Sequence, residues 1–112
     1  MIEKVILDYL NAEMTCPVKM ETPKTPPEKY VLIEKTSSAL DEHLYRSTIA
    51  IQSYAGTLYD AASLSAEVVE LMAYGLDEKE EVISVSLNSE YNFTDTSTKK
   101  YRYQAVFDIA HY

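Results

Sequence analysis

The fold is decided by two runs near the end of the chain, Val82-Ile83-Ser84-Val85-Ser86-Leu87-Asn88-Ser89-Glu90-Tyr91-Asn92-Phe93 and Tyr101-Arg102-Tyr103-Gln104-Ala105-Val106-Phe107-Asp108-Ile109. In the second run Tyr101, Tyr103, Ala105, Phe107 and Ile109 alternate with Arg102, Gln104 and Asp108. A period of two puts the apolar set on one face of a half-buried strand. The first run alternates as well, with Ile83, Val85, Leu87 and Tyr91 as candidates for its buried side. Asp95 to Thr98, between them, is rich in side chains that bond their own backbone. Two long strands joined by a tight turn predict an antiparallel hairpin.

Upstream of this hairpin lies a charged connector, Glu78 to Glu81, and before it a helical pattern. Leu58, Ala61, Ala62, Ser65, Val68, Val69 and Met72 draw an apolar stripe at helical spacing. Thr57, three residues before Asp60, supplies a capping signal. Gly75 suits a left-handed closing residue. Arg46 to Tyr54 alternates like a strand, with Thr48, Ala50, Gln52 and Tyr54 opposite Ser47, Ile49, Ile51 and Ser53. Thr36 to Tyr45 is polar and reads as a turn-rich loop. Tyr30 to Lys35 has β-branched content and apolar residues on both faces, which predicts a strand near the middle of a sheet.

Thr22 to Pro27 holds three prolines and reads as a stiff connector; Val18 to Glu21 before it is mildly strand-like. The opening segment, Ile2 to Met14, spaces Ile2, Val5, Ile6, Tyr9, Leu10 and Met14 by three and four. That is one face of a helix, with Glu3, Lys4, Asp8, Asn11 and Glu13 toward water, ended by Pro17. Two helices therefore serve about five strands with hairpin-length links. The fold class that fits is α+β: a single domain over residues 1–112, a mainly antiparallel sheet, both helices on one face.

Length and charge narrow the function classes. The 112 residues carry ten Lys and Arg against eighteen Asp and Glu, a formal charge of -8. Such a balance repels phosphate backbones and disfavours sequence-specific nucleic acid binding. A single cysteine, Cys16, excludes an internal disulfide and a multi-thiolate zinc site. No apolar run is long enough to span a membrane, and no signal peptide is expected, so synthesis into a cytoplasm is.

No catalytic constellation stands out. His43 and His111 are distant in sequence, there is no Gly-x-Ser-x-Gly elbow, and two glycines cannot build a phosphate-cradling loop. Cys16 beside Pro17 reads as a packed thiol. Asp41, Glu42 and His43 form the one candidate metal cluster, but adjacent side chains on an extended segment point apart. No catalytic, metal or cofactor residue is expected, and an enzyme is disfavoured. The ten tyrosines are the oddity. Tyrosine is enriched at protein interfaces, and Tyr45, Tyr54, Tyr74 and Tyr112 are more than a monomer needs to expose.

The succession Met-Ile-Glu-Lys-Val-Ile-Leu-Asp-Tyr-Leu-Asn, Pro26-Pro27-Glu28-Lys29-Tyr30-Val31, Ile33-Glu34-Lys35-Thr36, Ile49-Ala50-Ile51-Gln52-Ser53-Tyr54, Leu58-Tyr59-Asp60-Ala61-Ala62 and Tyr101 to Ile109 resembles the small tail terminator proteins of long-tailed phages and prophages of Gram-positive bacteria. These are also called tail completion or tail-to-head joining proteins. The resemblance implies an α+β subunit of a ring, commonly a hexamer, that caps the head-proximal end of the tail tube and stops its growth. Its implied partners are itself, the tail tube protein and the head connector. It implies assembly in the host cytoplasm and then a place in the virion.

A closed ring needs a heterologous interface. Two polar segments, 37–45 and 92–100, are expected to project along the ring axis. Their candidate partner contacts are Leu40, Asp41, Glu42, His43, Leu44, Tyr45, Phe93 and Asp95. The acidity either lines a bore along which DNA slides or keeps the free protein soluble. The alternatives are a head-closure or adaptor ring protein, or a small non-catalytic regulatory or ligand-binding module.

Overall fold

A computed structural model describes residues 1–112. The elements, in chain order, are helix α1 (Ile2–Glu13), strands β1 (Val18–Lys19), β2 (Tyr30–Asp41) and β3 (Leu44–Ala55), helix α2 (Leu58–Gly75), a 3-10 turn (Leu76–Glu78), and strands β4 (Val82–Asn92) and β5 (Tyr101–His111). The five strands form one sheet in the order β1-β2-β3-β5-β4. Only β1 runs parallel to its neighbour; every other pair is antiparallel.

Both helices lie on the same face, as the alternation of β3 and β5 requires. Ile6 and Leu10 of α1 and Leu64, Val68 and Met72 of α2 share one buried cluster with Val31, Ile33, Ile49, Ile51, Ala105, Phe107 and Ile109. The register sets Ile33 beside Ile51, Ile51 beside Ala105, and Ile49 beside Phe107, so these side chains floor the helices together. The helix α2 starts as its sequence indicates: the Asp60 amide donates to Thr57 Oγ1 at 3.1 Å, a cap that contributes about 1 kcal/mol.

Five local expectations are corrected. The 36–45 segment is not a loop: β2 continues to Asp41 and β3 begins at Leu44, joined by two residues only. Glu42 (φ 49°) and His43 (φ 71°) both sit at positive φ, the backbone of a type I′ hairpin turn. Polar composition hid the strands because neither face of this stretch is buried. In β4, register shifts at 82/84 and 87/89 break the period of two. Each bulge inserts one residue and so exchanges the faces. Val82 is therefore buried, Ile83 is exposed and Tyr91 emerges on the opposite face, whereas Val85 and Leu87, between the bulges, keep the expected face, Leu87 more than two-fifths exposed at the sheet edge.

Gly75 has φ −139°, not a left-handed value; the reason for a glycine there is a close neighbour, argued below. Two residues of α1 expected in water are engaged. Glu3 is largely buried and pairs with Lys35 at 3.5 Å. Asn11 donates to the Val18 carbonyl and accepts from the Val18 amide, both at 3.1 Å. Finally, β2 is not central, because its outer neighbour β1 pairs only with Val31 and Leu32.

Candidate functional site

The candidate contact residues fall into two groups at opposite ends of the sheet. Register places Leu40, Tyr45 and His111 on one level at the free end of β2 and β3. The β4–β5 link lies at the other end, where Tyr101 is level with Ala55. The molecule measures 44 × 26 × 25 Å, and a 12-residue strand spans about 40 Å. The long axis is therefore the strand axis.

At the first end, Leu40 and Leu44 lie on opposite faces of the hairpin. Leu40 is level with Tyr45 on the helix side, Leu44 with Asp41 on the open side. Leu40 is 62% exposed and Tyr45 40%. The Tyr45 ring stacks on the buried His111 ring, centroids 5.4 Å apart. Asp41, Glu42 and His43 occupy the turn itself, and no group of three His, Cys, Asp or Glu side chains converges anywhere in the molecule.

Behind this tip is a polar chain, buried at Ser47 and His111, that no spacing in the sequence announces. Ser47 Oγ lies 2.7 Å from His111 Nε2 and 3.0 Å from Ser38 Oγ, while His111 Nδ1 faces the Tyr112 carbonyl at 3.2 Å. The Tyr112 oxygen can only accept, so in this contact Nδ1 is the donor. Serine beside histidine is a nucleophile-and-base distance. However, Ser47 is 3% and His111 6% exposed, so the hydroxyl reaches no substrate. The chain satisfies polar groups buried at the end of the core. Only the strand register brings these residues together, 64 positions apart for Ser47 and His111.

At the opposite end Phe93 and Asp95 are occupied in holding their own turn. Arg102 lies over the Phe93 ring, 4.4 Å from its centroid, and its Nε donates to the Phe93 carbonyl at 2.6 Å. Asp95 Oδ1 accepts from the Ser97 amide at 3.0 Å and the Ser97 hydroxyl at 2.7 Å. These bonds, the hydroxyl first, hold the Asp95 carboxyl below its ordinary value. A lowered pKa means the turn is stabilised above the ordinary aspartate range and loosens as pH falls through the lowered one. Removing the hydroxyl with Ser97→Ala is expected to move the Asp95 midpoint upward in an NMR carboxyl titration; an unmoved midpoint refutes the assignment.

The sheet face opposite the helices carries no layer. A directional hydrogen-bond chain crosses it: Arg102 to Tyr54 (2.9 Å), Tyr54 to Gln52 (3.2 Å), Gln52 to Gln104 (2.8 Å) and Gln104 to Tyr91 (2.5 Å). Tyr54 also stacks flat on Tyr30 at 4.5 Å. Tyr54 is consequently buried, not exposed as expected; the strongly exposed tyrosines are Tyr59, Tyr74 and Tyr112. Cys16 is packed, and burial pushes its thiol pKa up. No helix is long and apolar enough to cross a membrane. Compared with known proteins, the chain matches no family model and no curated protein.

Proposed function

We propose that the chain is a tail terminator of a long-tailed phage or prophage: a ring subunit that caps the head-proximal end of the tail tube, stops its growth and joins the tail to the head connector. It is made in the bacterial cytoplasm and ends in the virion. The observation that carries this reading is the hairpin tip. Glu42 and His43 hold positive φ, where Asn-Gly is the easier sequence and non-glycine residues store strain. The charged and imidazole side chains at the far end of a 44 Å body are kept at a cost in stability, as expected of a tip that touches a partner. A second turn at the other end of the strand axis gives the subunit two axial surfaces, the requirement for an element set between a tube and a connector. The order of elements and the sequence resemblance supply the particular partners.

The test separates stability from joining. Glu42→Asn with His43→Gly is expected to raise stability, on the order of 1 kcal/mol, by relieving the turn. The same variant, like Leu40→Ala and Leu44→Ala, is expected to cut the fraction of capped tail tubes at least tenfold, an effect above about 1.4 kcal/mol. Microscopy of uncapped tubes mixed with each protein reads the second effect. Tubes capped equally well by all the variants refute the tip; tubes that the parent protein never caps refute the function.

A further inference from the structure

We propose that copies of this chain join by pairing the open edge of β4 with the open edge of β2 on the next copy, antiparallel, as one continued sheet. The inference rests on the ring reading above and supplies its interface. It starts from an asymmetry between the two sides of the sheet. A free strand edge invites pairing, and proteins block it with prolines, lysines, side-chain caps or very short strands. The β1 side has several of these devices: β1 is two residues long, Pro17 precedes it, and Asn11 bonds both the amide and the carbonyl of Val18. The β4 side is an 11-residue strand with no proline or lysine and one charge, Glu90; its edge devices are the two bulges, which leave residues 84–87 in regular register between them. It leaves Ile83 and Leu87 more than two-fifths exposed.

The chain itself supplies a matching edge. β1 covers β2 only at Val31 and Leu32, so β2 is unpaired on its outer side from there to Asp41. In the sheet, β2 and β4 run in opposite directions. A copy rotated about an axis parallel to the strands keeps its β2 direction, and therefore meets β4 antiparallel. Such a contact is heterologous, which a ring needs. The register also fixes which residues meet. Carried across the sheet it puts Ser37, Thr48, Asp108 and Ser86 on one level, and Lys35, Ile49, Phe107 and Leu87 on another. Between the bulges of β4, residues 84–86 thus face Ala39, Ser38 and Ser37 of the next copy, and Leu87 faces Lys35 across the β2 bulge at Thr36. No like charges oppose, and the exposed Leu87 covers the stem of the partner's Lys35.

Two experiments on the full chain test this pairing. Adjacent antiparallel Cα atoms lie about 4.5–5.5 Å apart, within disulfide reach. Ser37→Cys with Ser86→Cys is expected, on mild oxidation of the assembled protein, to give a ladder of linked multimers on a denaturing gel, while either single variant stays unlinked. Linked dimers from Ser86→Cys alone signal β4 against β4 and overturn the proposal. The second test uses charge sign. Leu87→Lys faces the partner's Lys35 and is expected to raise the concentration for half-assembly at least tenfold, whereas Leu87→Glu does not. Circular dichroism confirms that both variants fold. Equal behaviour of Lys and Glu overturns the edge assignment, and the ring reading survives if parent rings persist. A parent protein that stays monomeric at all concentrations and on tube ends overturns both.

Discussion

Phe107→Ala is expected to be the most damaging single truncation in the chain, lowering stability by about 3–5 kcal/mol. Phe107 is fully buried at the middle of β5, level with Ile49 on one side and Leu87 on the other. Helix α2 packs across β3, β5 and β4, so the ring stands where three strands meet the helix layer. Removing it takes away most of an aromatic side chain of contact. The cavity opens under a helix that cannot sink, because flanking strands hold its other contacts. At 112 residues such a loss lowers the melting temperature by on the order of 10–20 °C. Phe107→Leu, which refills part of the space, is expected to cost under about 1.5 kcal/mol. Val106→Ala, one residue along on the open face, serves as the control and is expected within about 1 kcal/mol. Thermal unfolding of the three proteins decides it: similar melting temperatures for the alanine variants at 106 and 107 refute the placement of the core.

That core was legible because its residues obey a single period over long stretches. The α2 stripe and the alternation of β3 and β5 each repeat often enough to fix a face, and the structure keeps all three. Legibility failed where a local device broke the period. One inserted residue at the start of β4 and one near its middle were enough to misplace Ile83 and Tyr91, because nothing in Val82 to Asn92 marks a bulge. It failed again where burial gave no signal. Residues 36–45 look like a loop because neither face of this end of the sheet is buried. The Ser38–Ser47–His111 chain was invisible for a third reason, that it exists only through pairing between strands distant in sequence. The candidate contact residues were found as polar segments between strands, which is why Leu40 to Tyr45 emerged as a tip while Phe93 and Asp95 proved to be holding their own turn.

The two sides of the sheet share a physical logic with the two helices. On the β1 side, α1 provides the seal: Asn11 occupies the edge that β1 would offer, and Glu3 binds Lys35 at the start of the hairpin's free stretch. On the β4 side, α2 covers the sheet face and leaves the edge bare. The proposed contact draws on both sides, the bare β4 edge of one copy and the free stretch of β2 on the next, and the Asn11 seal withdraws only β1 from pairing.

Gly75→Ala is expected to destabilise the protein by about 2 kcal/mol, although alanine is the better helix former by about 0.5–1 kcal/mol. The cause is Tyr9. Its hydroxyl reaches across from α1 and donates to the Leu71 carbonyl of α2 at 2.8 Å. A Cβ on residue 75 would lie 1.9 Å from that hydroxyl oxygen and 3.0 Å from the ring carbon bearing it, distances at which the ring must leave. With the ring go the interhelical hydrogen bond, worth about 1 kcal/mol, and part of the contact between α1 and α2. Tyr9→Phe alone is expected to cost about 1 kcal/mol, the bond without the packing. Because Phe lacks the oxygen that meets the new methyl, Tyr9→Phe with Gly75→Ala is expected to be more stable than Gly75→Ala alone, a coupling of about 1 kcal/mol or more between contacting residues. The pH dependence adds an independent reading. Burial, and then the charges of Glu13, Glu78 and Asp77, raise the Tyr9 pKa above 10.0. A raised value means the contribution is complete below the ordinary tyrosine pKa and is lost as pH rises through the raised one. The parent should therefore lose stability in alkali more steeply than Tyr9→Phe. Additive losses in the double variant, or parallel alkaline curves, refute the contact as the reason for glycine at position 75.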